Sequence, residues 1–538
     1  MHLVTTLLAP RDELTRYILG LLVAPRSGGT LSVWTLKRLK RTCKEANDVV
    51  NYVKPDVYLG EVMAIQTLQT LQKSWTIRGM LLHYSTSSGI AASLTTLTLV
   101  ELDNRSSRRR QLSRLPETLE ELILKHCDHI TCLESLPESL KVLTLEECNA
   151  VAALDSLPTK LKKLCVTMGA RVRPICFDSL PESLMELELE LSETETSLDA
   201  LPETLEVLKL WDYTGIKSLD ALPSSLKVLK LNGSIAVTSL DALPSSLVVL
   251  ELNECYALES LSPPASLKKL RLTKCDIVPR LPDNLVTFVL DDVNLDLGFF
   301  DAPFPSSLEM LELCNLTYPV TLEALPVSIE KLVLKNCGDI DLSSMGHVLL
   351  KELEIRECHA NVDLLPESLV KLHMEHLNGF MCTKRRLSLD SLPTSLKQLT
   401  VIACNVTNVD SLPSSLRTLE LESIGDHWFK SRRSEVPLYV DSLPQSLKQL
   451  TVTDCCIRSI DSLPSSLEKL NLIGVDCKRH QQKIKSITSV RDLHAFLASG
   501  PTGHPTPTDD GYESSAPASP KTNKPLVQLT PTIKRTEP

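Results

Sequence analysis

Sixteen cysteines run through this 538-residue chain, and eight of them recur at one fixed place. Cys127, Cys148, Cys255, Cys275, Cys337, Cys358, Cys404 and Cys455 each stand eight residues after the first apolar residue of a repeated leucine phrase. Thiols in such numbers open three kinds of chemistry. Zinc binding needs ligands that converge in one coordination sphere, usually as paired CxxC motifs; no pair of such pairs is present. Disulfides are open to neighbours such as Cys127 and Cys148, because one strand spacing falls inside the Cα separation that a disulfide spans. A reducing compartment disfavours that bond. Nucleophilic catalysis needs a thiol of lowered pKa in a built site. The sequence carries no phosphate loop, Gly-rich nucleotide fingerprint, metal motif or nucleophile elbow. A structural role is the remaining reading. No cofactor is expected.

The elements that position these thiols are repeats. The stretch 241–255 reads DALPSSLVVLELNEC, and DSLPTSLKQLTVIAC ends at Cys404. Aligned on Leu-Pro, units start at Leu115 and continue to Leu463, seventeen in all and mostly 20 to 23 residues long, with an entry unit at Leu94. Each LxxLxL core predicts one short strand, stacked in parallel on the next at about 4.8 Å. Proline locks φ and donates no hydrogen bond, so Leu-Pro predicts an extended return on the opposite side. No unit has a complete core alone, and a long chain of such units escapes the size limit of one compact core.

Over about residues 94 to 475 the sequence resembles leucine-rich-repeat proteins, whose period lies in this range. The LPxSLxxLxL phrase is similar to FNIP-repeat proteins of amoebae and their giant viruses, and to the LPX repeats of bacterial effectors. The resemblance implies an α/β leucine-rich-repeat solenoid with parallel strands on the concave face and a mostly extended or short-turn convex side. It also implies a binding protein that is not an enzyme. Effector ligases with such repeats place a catalytic cysteine in a large helical domain beyond them, and here only about sixty residues follow.

The ends differ in pattern. Residues 1–53 put Leu14, Ile18, Leu19 and Leu22, then Val33, Leu36, Leu39, Cys43 and Val50, at helical spacing, with Asp12 as N-cap. Pro10, Glu13, Leu14, Ile18, Leu19, Leu22, Leu36, Leu39, Cys43 and Lys44 together resemble an F-box. That resemblance implies that Pro10, Leu14, Ile18, Leu19, Leu22, Leu36 and Leu39 dock a cullin-ligase adaptor. The other reading of 1–53 is a helical cap on the first repeat. Residues 54–93 form a transition to the solenoid at 94–475. Within 476–498, Val490, Leu493, Phe496 and Leu497 predict a capping helix over the open end. Residues 499–538, rich in Pro, Thr and Ser, predict a disordered tail with Thr506, Ser519 and Thr530 each before proline.

A protein ligand would meet the outward side chains between the core leucines. On the concave face these include Lys209, Trp211, Lys230, Arg271, Arg356 and His373, with signs that alternate along the array. Trp211 between Lys209 and Lys230 has the composition of a binding hot spot; its alternative is a solvated face with one exposed aromatic. Two insertions break the period and map to loops. One carries Phe380, Arg385 and Arg386; the other carries Trp428, Phe429, Arg432 and Arg433. They would meet an acidic partner or serve as tolerated surface loops. A net charge of -10 argues against general nucleic-acid binding. No apolar run reaches the ~18–20 residues of a membrane span, and the start MHLVTTLLAP lacks a basic leader and a cleavage site. The expected location is intracellular, in the cytoplasm or nucleus.

Overall fold

In the computed structural model the described residues are 57–59, 77–83 and 95–493. The last range omits 101–114, 129, 152–153, 168–176, 191–197, 213–214, 217, 234–235, 294–301, 317–319, 321, 378–386, 407–408, 425–437, 439, 441, 461 and 478–481. Twenty-two strands of these residues form one sheet, parallel throughout except for its last pair. Most strands have five residues, as in Glu121–Lys125, Val142–Glu146 and Val249–Asn253. Neighbours pair residue for residue: Leu229 with Leu250 and Leu250 with Leu270.

The leucine spacing explains this register. Alternate strand residues face opposite sides, so the second and fourth positions of each strand enter the core together. Leu122, Leu124, Leu143, Leu145, Leu250 and Leu252 are all buried, while the first, third and fifth positions face outward. The result is one continuous apolar column from Leu97 to Leu493. Each buried leucine contributes about 1.5–3 kcal/mol relative to leaving it in water.

The return half is pinned by the rest of the phrase. The Leu-Pro step makes a turn in which the next repeat leucine donates its N–H to the proline carbonyl, as in Leu119 to Pro116 (3.0 Å) and Leu247 to Pro244 (3.1 Å). The small residue before that leucine is a cross-turn donor. Ser225 Oγ bonds the Leu205 carbonyl, Ser246 the Leu226 carbonyl and Ser266 the Leu247 carbonyl, each at 2.7 Å. A hydroxyl suits this place because the part-buried carbonyl lies one turn away and needs a donor; Asn284 takes the position in its own unit and donates to the Ala265 carbonyl at 3.1 Å. Where Leu349 replaces the serine, a short 3-10 helix Ser343–His347 precedes it. The His347 ring then reaches the Leu325 carbonyl at 3.0 Å.

A second device closes each strand. The residue after the fifth strand position adopts positive φ in turn after turn, and thirteen such residues are not glycine. His126, Glu147, Lys274, Ala403 and Asp454 are examples, with φ between 48° and 54°. Their N–H groups continue the sheet ladder, as in Glu147 to Thr167 O (2.7 Å) and Ala403 to Glu422 O (2.8 Å). This left-handed step reverses the alternation, so the following side chain points inward where a strand would have pointed it out.

Several expectations change. The regular elements among the described residues are almost all strands; the expected helical module at residues 1–53 lies outside them, as do Pro10, Leu14, Ile18, Leu19, Leu22, Leu36 and Leu39. The sheet starts inside the expected transition, since Val57–Leu59 and Ile77–His83 already pair in parallel and the latter joins Thr96–Val100. Within 476–498 an unforeseen strand, Gln482–Ile487, pairs antiparallel with Lys469–Cys477 and covers the open edge. Among the described residues, helical ones follow at 490–493, opened by Ser489, whose hydroxyl accepts from the Asp492 N–H at 3.1 Å. Leu493 is buried; Phe496, Leu497 and the tail 499–538 lie outside the described residues. Among the described residues no helix is long and apolar enough to cross a membrane.

Three substitutions separate these contributions in chemical denaturation. Leu250→Ala is expected to cost about 2–5 kcal/mol through cavity formation. Ser246→Ala is expected to cost about 1 kcal/mol. Ala403→Gly is expected to stabilise by up to about 1 kcal/mol, because glycine accepts positive φ without the Cβ clash.

Candidate functional site

The repeated cysteines sit directly after the left-handed residues and are buried. Cys337 Sγ lies 3.1 Å from the Leu313 carbonyl of the preceding turn and 3.2 Å from its own Lys335 carbonyl. Cys455 repeats this with Leu421 (3.7 Å) and Thr453 (3.1 Å), and Cys148 with Leu124 (3.4 Å) and Glu146 (3.5 Å). The thiol is a small, weakly polar plug that links two turns. Burial pushes Cys404 and Cys455 up to about 11. The adjacent Cys358 sulfur, together with burial, pushes the Cys337 thiol up. A protonated thiol is a poor nucleophile and a poor metal ligand. The thirteen described cysteines are free thiols, and no cluster of three or more His, Cys, Asp or Glu among the described residues could hold a metal ion.

The outward columns fall as the repeat spacing predicts. The central one runs Glu188, Lys209, Lys230, Glu251, Arg271, Val289 and Glu312 in strict pairing, and continues through Val333, Glu354 and His373. Trp211 and Arg356 belong to the neighbouring column. All six face residues singled out from the sequence therefore share one side of the sheet.

What the sequence reading missed is the carboxylate set that holds them. Lys209 Nζ lies 2.7 Å from Glu186 and 3.4 Å from Glu188, and the Trp211 indole N–H donates to Glu188 at 3.1 Å. Glu251 takes Lys230 at 2.7 Å and Lys269 at 2.6 Å. Glu312 takes Lys335 at 2.9 Å and Arg271 at 3.8 Å. Arg356 bridges Glu354 (2.7 Å) and Glu375 (2.9 Å), and His373 Nε2 stands 3.5 Å from Glu375. Part of the signal was present as opposite charges at matched positions one unit apart, Glu188 with Lys209, Lys230 with Glu251 and Arg356 with Glu375; the diagonal pairs, such as Glu251 with Lys269, needed the register itself.

These pairs bias protonation. Burial raises Glu251, but the hydrogen bonds from Lys230 and Lys269 outweigh it and leave the carboxyl below its ordinary 4.5. Glu186 follows the same pattern under Lys209 and Lys163, and Glu312 under Lys335 and Arg271. Burial lowers Lys209, yet its bonds to Glu186 and Glu188 set it above its usual value. Phe380, Arg385, Arg386, Trp428, Phe429, Arg432 and Arg433 lie outside the described residues.

No protein-family model matches the chain, and no curated protein matches it. Among solved structures it is similar to CroV588, described as a novel circular leucine-rich-repeat protein, at 19% identity and TM-score 0.48, covering 79% of this chain and 71% of that one. It is also similar to YopM from Yersinia enterocolitica (21%, TM-score 0.42, 74% and 87%) and to a leucine-rich-repeat protein of Leptospira interrogans (19%, TM-score 0.37, 68% and 95%). The repeat architecture itself rests on the strand register and the buried leucine columns.

Two outcomes follow from the protonation pattern. In the native protein at neutral pH, Cys404 and Cys455 are expected to resist alkylation and to label only on unfolding, read by mass spectrometry of their peptides. The lowered carboxylates add stability that is present above the unfolded value of 4.5 and lost as pH falls through their lower folded values. Tm is therefore expected to drop on acidification below that point, and Glu251→Gln to flatten the drop.

Proposed function

We propose that this chain is a non-enzymatic protein-recognition scaffold whose outward sheet columns are the contact surface. One observation carries the reading: a long face of in-register polar side chains, already fixed by ion pairs on a rigid backbone, with Trp211 anchored among them. Such a surface loses little conformational freedom on binding. Its mixed signs suit a protein surface better than a polyanion. The buried Cys404 and Cys455 thiols, held protonated by burial, and the lysine-bound Glu251 carboxylate are poorly disposed for catalysis. The partner is a protein ligand on a concave face, met inside the cell, with no nucleic acid and no membrane involved.

The sharper form of this reading makes the chain a substrate receptor of a cullin-type ubiquitin ligase. It is supported by the F-box resemblance of Pro10 to Lys44, and the repeats would raise the local concentration of substrate beside the ubiquitin carrier. The alternative is a plain leucine-rich-repeat recognition protein, or an effector without ligase coupling.

Cross-linking mass spectrometry of full-length protein with co-purified partners is the test. Cross-links are expected at Lys209, Lys230 and Lys335 and not at Lys160, which is exposed in a return turn; the reverse pattern overturns the scaffold reading. The ligase form predicts that adaptor and cullin co-purify with the full chain and are lost when residues 1–53 are removed. Their absence from both preparations leaves a repeat scaffold alone.

A further inference from the structure

Four consecutive strands of the main sheet, Val207–Trp211, Val228–Asn232, Val249–Asn253 and Lys269–Thr273, differ from the rest of the face. Their first column opens with Val207, Val228 and Val249 in register, all half-buried. Charged residues, Glu186 and Lys269, bound this apolar stripe on its two sides. At about 4.8 Å per strand the three valines span roughly 10 Å.

The charges beside them do not balance. Lys209 is held by Glu186 and Glu188. Glu251 serves Lys230 and Lys269 at once, and Arg271 reaches only Glu312, at 3.8 Å across an intervening strand. Among the described residues, Lys230 and Lys269 therefore divide Glu251, and Arg271 reaches a carboxylate that Lys335 already holds at 2.9 Å, in a chain whose net charge is -10. An ammonium has three donors, so Lys230 and Lys269 can keep Glu251 and each still take another acceptor. On the far side of the patch, Asn253 Nδ2 donates to Asn232 Oδ1 at 2.6 Å. Among the described residues that leaves the Asn232 Nδ2 hydrogens as donors and Asn253 Oδ1 as an acceptor, Asn232 standing in register with Trp211 and Asn253 one strand further.

We infer that this patch takes a short acidic segment of a partner protein, with aliphatic side chains over the valines and carboxylates on Lys230, Lys269 and Arg271. The inference rests on the scaffold reading above and specifies its partner. Three strand spacings, about 14 Å, match four or five extended residues at about 3.3 Å each. The charge complementarity is specific to carboxylates beside apolar groups. A nucleic-acid backbone would bring phosphates against Glu188 and Glu251 and would leave the valine stripe unused.

The test is fluorescence anisotropy of full-length protein with a short labelled peptide of mixed glutamate, aspartate and leucine. A lysine–leucine peptide and a single-stranded RNA oligomer serve as the other probes. The acidic peptide is expected to bind, to weaken with salt and to lose about tenfold or more in the Lys230→Gln/Arg271→Gln double variant. Trp211→Ala is expected to weaken it, and Lys160→Glu to leave it unchanged. Circular dichroism confirms that each variant retains its sheet. The inference is overturned if the acidic peptide does not bind, if the double variant binds it equally, or if either other probe binds as tightly. A partner that cross-links to the sheet face while the acidic peptide fails removes this inference and leaves the scaffold reading standing.

Discussion

Everything in this solenoid depends on the satisfaction of backbone carbonyls between successive turns. A turn of about twenty residues cannot enclose its own polar backbone, and buried carbonyls without partners are costly. The sheet supplies partners only along the strands. Elsewhere a hydroxyl at the Leu-Pro return, a thiol after the strand and a left-handed N–H between them carry the bonding across the gap. All three act at one separation, that of adjacent strands, so none tolerates a slipped register. The leucines provide the stabilisation; these polar links fix which turn lies on which.

That division explains what could be read in advance. The leucine columns and the outward column from Glu188 to His373 follow from period, the inward cysteines from the resemblance to leucine-rich repeats, and the structure places each in register. The serine in LPxSL was visible only as a small residue, because a hydroxyl's role depends on a carbonyl twenty positions away. The left-handed residues were hidden for a different reason. Glu147, Lys274 and Ala403 are not residues that announce positive φ, and here the ladder on both sides imposes it. The terminal strand Gln482–Ile487 was masked by the helical pattern that follows it and by its reversed direction, which no repeat spacing encodes.

The candidate site was legible in position but not in state. Lys209, Trp211, Lys230, Arg271, Arg356 and His373 share the outward side of the main sheet, and in sequence they showed only signs that alternate. Parallel register places each against carboxylates of its own or nearby turns. Partly exposed pairs contribute little to stability. Their effect on recognition is larger, because a cation already held in one orientation presents a fixed direction to a ligand and loses less freedom on contact.

A face built this way discriminates by imbalance. Where one cation is met by two carboxylates, as Arg356 is by Glu354 and Glu375, an incoming charge must compete with both. Where one carboxylate is divided between two lysines, as Glu251 is, the internal pair is incomplete and the external one costs least. The repeat makes such a place simple to create: a single turn with valine instead of a charge in the first column, or with lysine opposite lysine in the second, changes the local balance while the core leucines and cross-turn bonds stay as they are. Specificity in this fold therefore resides in departures from the phrase on the outward positions, and stability in adherence to it on the inward ones.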